Sequence, residues 1–343
     1  MRIGIPREVK DGEHRVALSH GAIKGLNVVV EPGAGAGVGF SDEDYVRAGA
    51  SLGDPWECEL VVKVKELQES EYRKPRPGQT IFGFQHFGPD PALLDAALAS
   101  GATFIAFESV GQESRLPILS PMSAIAGRLA VQVGAWCLQK QNGGSGVLLP
   151  GLDGISPAKV VILGAGNVGA NALHVAHGIG ANVAVFSKTS QRFDVLKARY
   201  PCATFRTGTP QVEDADLIIA GVLTPGRMSP KLITRAMLRR MRPGSALVDV
   251  GIDQGGIAET SRPTSHSDPI YVEEGVLHYC VPNMPAACAR TASLALERAV
   301  LPFVLKIMKN QIDADLATGI QVKAGKVTHQ HLARDTGRAY SAL

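Results

Sequence analysis

Short apolar runs recur along the chain and alternate with longer stretches in which apolar positions return every three or four residues. The runs at 2–5, 28–31, 60–64, 80–84 and 103–107 read as strands of one group, and those at 160–163, 183–186, 216–220 and 246–250 as a second. Helices are predicted between them: 42–48 behind an N-capping Ser41 with acids in its first turn, 91–100, and a long one over 123–141. In the long helix Gly127, Ala130 and Gly134 fall near helical spacing and make a small-residue stripe, which lets another backbone come close. A further helix is predicted to open at Ser229 as N-cap with Pro230 in its first position, and another to run over 291–310 with Pro302 inside it. The stretch 142–158 is glycine-rich and punctuated by Pro150 and Pro157, so it reads as loop. Strands alternating with helices predict an α/β fold on parallel sheets, and 343 residues suffice for two domains.

Composition narrows the functional classes. With 45% apolar and 20% charged residues the chain can bury a large core, and a formal charge of +3 is too mild to argue for nucleic acid. No stretch approaches the roughly 18 unbroken apolar residues of a membrane helix, and "MRIGIPREV" is not a secretory leader; a cytoplasmic protein with no membrane partner is expected. Cys58, Cys137, Cys202, Cys280 and Cys288 are scattered without metal-ligand or redox spacing and read as reduced thiols. His174 and His177 stand three apart with no acidic or cysteine companion, and His329 and His331 lie in a polar tail, so both pairs read as packing or surface and no metal is expected.

One motif carries chemistry by its context. Gly164, Gly166 and Gly169 stand in G-x-G-x-x-G order, after a strand, at the start of a helix and one βαβ distance before the next strand. Gly164 allows the tight turn, Gly166 lets the backbone approach a pyrophosphate, and Gly169 permits close helix–strand packing, while the helix start at Asn167 and Val168 offers N–H groups to an anion. The closely spaced glycines of "EPGAGAGVGF" have no adequate helix behind them and read as a loop near a site. An acidic residue is expected about 20 residues beyond a fingerprint, on the ribose hydroxyl. Here "VAVFSKTSQR" offers Ser187, Lys188, Thr189, Ser190 and Arg192 instead.

Four further residues stand out in apolar or glycine-rich settings: Arg15, Lys65, His86 and Asp253. The last three follow predicted strand ends, where open α/β sheets hold ligands. Together they suit carbonyl chemistry, with cations on a carboxylate and a carbonyl, and a histidine shuttling a proton near neutral pH. Taken singly, a Lys or Arg at a strand end is ordinarily a solvated charge and His86 a satisfied core histidine.

These segments resemble the alanine dehydrogenase family, which is related to the nucleotide-binding component of proton-translocating transhydrogenase. The matching stretches are "RIGIPREVKDGEHRVAL", "EPGAGAGVGFSDEDYVRAGA", "VVKVKE", "SPMSAIAGRLAVQVGA", "VVILGAGNVG", "VLTPG", "PGSALVDVGIDQGG", "SRPTSHSDPIYV" and "VPNMPAACARTASLAL", in family order over nearly the whole chain. The resemblance implies two Rossmann-like domains. A dinucleotide-binding domain at 123–290 would be inserted into a substrate domain made of 1–122 and 291–343. It implies that Arg15 and Lys65 hold the substrate carboxylate and carbonyl, that His86 is the acid/base group, and that Asp253 handles the water or ammonia exchanged at the α-carbon. Asn283 would lie along substrate and cofactor. Ser123, Gly164, Gly166, Asn167, Val168, Gly169, Val222, Leu223, Asp253 and Met284 would lie along the cofactor.

The activity implied is reversible oxidative deamination of a small, alanine-like L-amino acid to a 2-oxo acid and ammonia, by a homo-oligomer, dimer or hexamer. The chain is shorter than the family's usual pattern at 18–28, at 52–60 and in its tail. Gly83, Gln85, Gly88 and Gly111 replace bulkier or apolar residues, which would make a roomier or more polar pocket that accepts something other than alanine. An acid at Ser187 would favour NAD, whereas Ser187, Lys188, Thr189 and Arg192 suit a 2′-phosphate, so NADP is expected to be preferred over NAD. Alternatives are an NADP-dependent imine or opine-type reductase and a transhydrogenase-like nucleotide-binding module without chemistry.

Overall fold

In the computed structural model, which describes residues 1–112, 115–222 and 229–343, the apolar runs form two separate sheets. The chain divides into two units, one made of Met1–Met122 with Cys288–Leu343, the other of Ser123–Ala287. The first opens with β1 (Ile3–Ile5), β2 (Val28–Val30), β3 (Ser51–Leu52), β4 (Leu60–Val62), β5 (Thr80–Gly83) and β6 (Thr103–Ala106). All six are parallel and lie in the order β3-β2-β1-β4-β5-β6. The winding therefore reverses between β1 and β4, and the crevice outside their carboxyl ends is the place where such a sheet receives a ligand.

Local chemistry sets the helix ends. For α1 (Asp42–Arg47), the Ser41 hydroxyl accepts from the Asp44 N–H while the Asp44 carboxylate accepts from the Ser41 N–H, a reciprocal capping box. Asp90 caps α2 (Pro91–Ser100), which stops where Gly101 turns left-handed at φ 66°. Leu93, Leu94 and Ala97 of α2 pack with Ile81, Phe104 and Phe87 into the core of this unit.

The chain passes into the second unit within α3 (Leu119–Cys137). There follow β7 (Lys159–Leu163), α4 (Asn167–Gly178), β8 (Asn182–Ser187), α5 (Phe193–Arg199), β9 (Thr204–Thr207), β10 (Leu217–Ala220), α6 (Arg235–Leu238), β11 (Ala246–Asp249), β12 (Ile270–Glu273) and β13 (Val276–Tyr279). The parallel order is β9-β8-β7-β10-β11-β13, with β12 antiparallel on the β13 edge. This is the doubly wound order again, reversing between β7 and β10, so both units are Rossmann-like. The small-residue stripe of α3 does what its spacing implies. A Cβ on Gly127 would stand 2.2 Å from the Val168 carbonyl oxygen, and one on Gly134 2.5 Å from a Leu217 methyl.

The chain then returns to the first unit through α7 (Ala289–Met308), which carries Pro302 inside it, and adds β14 (Ile320–Lys323) and β15 (Lys326–Val327). β14 runs antiparallel to β6 and extends that sheet.

The helix expected from Ser229 is absent. The Ser229 N–H donates to the Gln254 carbonyl at 2.8 Å, Ile233 bridges to Ala258, and the Lys231 ammonium donates to the carbonyls of Gly255, Gly256 and Ala258. Tertiary partners thus claim the groups a helix would need, and α6 starts only after Thr234, whose hydroxyl accepts from the Met237 N–H. The packing of α3 is directly testable. Gly127→Ala should lower stability by about 1–3 kcal/mol through overpacking, while Gly88→Ala, where the new methyl meets nothing within 4 Å, should leave it unchanged. Denaturant unfolding of both variants checks this.

Candidate active site

The carboxyl ends of β4 and β5 bring two of the sequence-predicted candidates together. Lys65 and Glu66 follow β4, and His86 follows β5. The Glu66 carboxylate ties them together. Its Oε2 lies 2.8 Å from His86 Nδ1 and 3.7 Å from Lys65 Nζ, and its Oε1 is paired with Lys10. Burial alone would push the Glu66 carboxyl up, but the hydrogen bond from His86 and the charges of Lys65, His86 and Lys10 outweigh it and hold it well below the usual range. A carboxylate on Nδ1 takes the N–H of a neutral imidazole, which leaves Nε2 as the proton acceptor. His86 is 41% exposed on its side chain, consistent with a group that meets a ligand. Its backbone is left-handed at φ 45°, a strained setting for a residue with a Cβ. Glu108, just beyond β6, accepts from the Gln85 and His86 N–H groups at 3.2 and 2.9 Å.

Arg15 is 2% exposed. Glu13 holds its guanidinium in a fork: Nε donates to Oε1 at 2.7 Å and NH2 to Oε2 at 2.5 Å, while NH1 stands 3.3 Å from the Met122 sulfur. Arg15, Glu13 and Glu8 line a cavity of about 230 Å³ together with Gly33, Ala34 and Gly37, so the glycine loop borders the Arg15 cavity. A larger open depression of about 440 Å³ by Trp56 and Lys74 contains none of the expected chemical residues.

Glu8, Glu13, Glu66 and Glu108 were not singled out from the sequence. Glu8 follows β1, and its side chain is 3% exposed. Its Oε1 accepts from the Val64 N–H at 2.5 Å and its Oε2 from the Lys65 N–H at 3.3 Å. Lys63 lies between it and Glu71, 3.8 Å from Glu8 and 2.7 Å from Glu71. Burial pushes the Glu8 carboxyl up to about 7, against the lowering by Lys63 and the Val64 N–H. A local signal existed for two of them: Glu13 lies two residues from Arg15 and Glu66 next to Lys65, whereas Glu8 and Glu108 reach Val64 and His86 from 56 and 22 residues away.

At two of the small residues expected to make a roomier pocket, backbone stands where a side chain would be. A Cβ at Gly83 would stand 2.6 Å from the Lys63 carbonyl oxygen, and one at Gly111, whose φ is +125°, 2.1 Å from the Arg115 carbonyl oxygen. The missing side chains are replaced by backbone. Gln85 is buried, and its Nε2 donates back to the Gly83 carbonyl at 3.2 Å. Only Gly88 leaves open space.

In the second unit the glycine turn lies between β7 and α4. Gly164 is at φ +102°, and a Cβ there would stand 2.9 Å from the Gly221 carbonyl oxygen and 3.3 Å from Val222. A Cβ at Gly169 would fall 1.8 Å from the Gly164 carbonyl oxygen, while one at Gly166 would meet nothing within 4 Å. The first and third glycines are therefore consumed by packing, and the second opens to the side where a pyrophosphate would approach. Gly166 is also the N-cap of α4, with no side chain capping it. Asn167 and Val168 form the first turn of that helix. These features fit a dinucleotide.

Ser187 ends β8 beside Thr207 of β9, and Lys188, Thr189 and Arg192 are exposed beyond it. Asp253 is exposed in the turn after β11. That turn is held by Asp249, which accepts from the N–H groups of Gly251 and Ile257 and from the Ser261 hydroxyl. Asn283, left-handed at φ 58°, and the buried Met284 follow β13; Ser123 lies on α3. Leu223 lies outside the described residues. His174 Nδ1 is 3.1 Å from the Tyr200 hydroxyl and His329 Nδ1 accepts from the Leu332 N–H, so both have structural partners. Among the described residues no helix is long and apolar enough to cross a membrane.

Comparison with known proteins adds to this geometry. The family model "Alanine dehydrogenase/PNT, N-terminal domain" matches residues 4–126, and "Alanine dehydrogenase/PNT, C-terminal domain" matches residues 130–330. The chain is 46% identical to the alanine dehydrogenase of Halomonas elongata, over 99% of this chain and 98% of that one. It is 42% identical to that of Bacillus subtilis, over 99% and 96%. Among solved structures it is similar to an L-alanine dehydrogenase, with a TM-score of 0.94 and 41% identity over 98% of this chain and 99% of the other. A transhydrogenase from Sinorhizobium meliloti follows at 0.83 and 26%, over 96% and 99%.

The Glu66 carboxylate should leave a pH signature. A carboxyl whose folded pKa is depressed stabilises fully above its unfolded value, near 4.5, and loses that contribution as the pH falls below it. Glu66→Gln should therefore cost about 1–3 kcal/mol at neutral pH, with the gap to the parent closing below about pH 4.5. Thermal unfolding across pH tests both the size and the sign.

Proposed function

The chain belongs to the alanine dehydrogenase/PNT family, and on that footing we propose that it is a nicotinamide-dinucleotide-dependent dehydrogenase of a small L-amino acid. The reaction takes amino acid, oxidised nicotinamide and water to 2-oxo acid, ammonium, reduced nicotinamide and a proton, and runs in reverse as reductive amination. The observation that carries this reading is the Lys65–Glu66–His86 group at the carboxyl ends of β4 and β5.

A bound nicotinamide supplies the hydride acceptor. The residues of the chain do the rest. Arg15, fixed in plane by Glu13, binds the substrate carboxylate. Lys65 neutralises the negative charge that develops on the carbonyl oxygen. His86, with Nδ1 on Glu66, takes a proton at Nε2 as water adds to the imine carbon and returns it in the reverse direction. Asp253 holds the water or ammonia exchanged at that carbon. The substrate side chain is proposed to be small and alanine-like, as the family relationship supports.

For the dinucleotide, Gly164, Gly166 and Gly169 hold the pyrophosphate and Ser187 meets the ribose. What supports NADP over NAD is the hydroxyl at Ser187 with the exposed Lys188, Thr189 and Arg192 beside it, where a carboxylate would repel a 2′-phosphate.

A panel of L-amino acids with either dinucleotide, followed by the absorbance of the reduced nicotinamide, tests the activity. L-Alanine should lead the panel, and silence with every amino acid while dinucleotide still binds would instead support a nucleotide-binding module without chemistry. His86→Ala should reduce kcat by about 100-fold or more, the usual worth of a general acid–base group. Ser187→Asp should move the ratio of the two catalytic efficiencies toward NAD by about tenfold, the order of one charged contact; a parent enzyme that already favours NAD refutes the cofactor reading.

A further inference from the structure

The first unit holds a buried carboxylate that the proposed chemistry does not use. Glu8 stands at the carboxyl end of β1, directly across the winding reversal from β4, and its side chain is 3% exposed. Both of its oxygens are spent on backbone: Oε1 on the Val64 N–H at 2.5 Å and Oε2 on the Lys65 N–H at 3.3 Å. These two N–H groups lie just past the end of β4, where the strand ladder no longer supplies acceptors. The backbone from which the Lys65 side chain departs is therefore fixed by a side chain of the neighbouring strand. Lys63, caught between Glu8 and Glu71, balances the charge of the clamp. Glu8 also lines the cavity that contains Arg15.

We infer that Glu8 is a positioning residue for substrate binding: it clamps the Val64–Lys65 backbone so that the Lys65 ammonium is aimed at the substrate carbonyl. The inference rests on the role given to Lys65 above. Replacing Glu8 by Gln keeps the shape but turns an amide NH2 toward one of the two N–H donors, so one hydrogen bond is lost and two donors face each other. The strand end then has freedom to shift, and displacement of a group in contact with the reacting centre by even an ångström is costly.

The test uses the full-length enzyme in the direction of reductive amination, with pyruvate, ammonium and the preferred dinucleotide, at about pH 8.5, above the Glu8 value of about 7 so that its carboxylate is ionised. Glu8→Gln should raise KM for pyruvate about tenfold, the order of one hydrogen bond to a charged group. It should leave the dissociation constant of the dinucleotide unchanged. Glu71→Gln is the control: it removes the charge of the second carboxylate on Lys63, whose ammonium also donates to the Glu66 carbonyl, without touching the Val64 or Lys65 N–H, so it should lower Tm with KM unmoved. Should Glu8→Gln fail to fold, Glu8→Asp serves instead. It keeps a charge beside Lys63 but draws the oxygens back from both N–H groups. Equal rises in KM for the Glu8 and Glu71 variants would overturn the positioning role, as would no rise in the Glu8 variant. Lys65→Met separates the two layers of the argument. If it leaves KM unchanged, the role of Lys65 fails and this inference with it. If it raises KM and the Glu8 variant does not, only the clamp is refuted.

Discussion

A parallel strand that ends at a ligand-binding edge leaves its next N–H groups without a ladder partner, and in this protein carboxylates at strand ends take them up, Glu8 and Glu108 from a neighbouring strand and Asp249 from the same one. Glu8 accepts from Val64 and Lys65, Glu108 from Gln85 and His86, and Asp249 from Gly251 and Ile257. In each case the clamped segment carries a residue for which a chemical role is proposed: Lys65, His86 or Asp253. The same interaction satisfies buried backbone and fixes the main chain from which that side chain departs. It also explains how His86 can stay at φ 45°: the carboxylate of Glu108 holds its N–H while Glu66 holds its ring.

The two units solve related problems with different materials. The second presents backbone to its ligand. Gly164 and Gly169 have no room for a Cβ, Gly166 leaves its side of the turn open, and α4 begins without a side-chain cap. Dipole and N–H groups suit a ligand whose charge is always present, such as a pyrophosphate. The first unit presents side chains, because carbonyl chemistry needs groups that gain and lose protons or meet charge as it develops. Both kinds of site sit on the same doubly wound strand order.

The sequence was legible where a signal is local. The Ser41 cap, the Gly127 and Gly134 stripe, and the strand–glycine–helix fingerprint all depend on neighbours a few residues away. It was less legible where partners come from afar. The run from Ser229 has the composition of a helix start, yet residues 254–258 claim its hydrogen-bonding groups. The short strands β3 and β15 exist through pairing rather than propensity. The clamps were invisible for the same reason: Glu8 and Val64 are 56 residues apart, and no spacing rule connects them. Gly83 and Gly111 read as absent side chains and hence as space, but backbone carbonyls occupy that space. A small residue reports only that nothing larger fits, not that the room is empty.

Charge balance connects these observations. Around the first-unit site the buried or half-buried cations Arg15, Lys63 and Lys65 face the carboxylates Glu8, Glu13, Glu66 and Glu71. Buried charge is tolerated only when paired, and an Arg or Lys already neutralised would be a poor binder of an anionic substrate if its partner left no direction open. Glu13 takes Arg15 through Nε and NH2, a fork that fixes the guanidinium plane. Glu66 offsets the Lys65 charge from 3.7 Å, a longer and weaker pairing than its 2.8 Å contact with His86. The carboxylate pairing is therefore tight where orientation matters and looser at the cation proposed to meet a developing oxyanion, and only an interaction stronger in the transition state than before it contributes to rate.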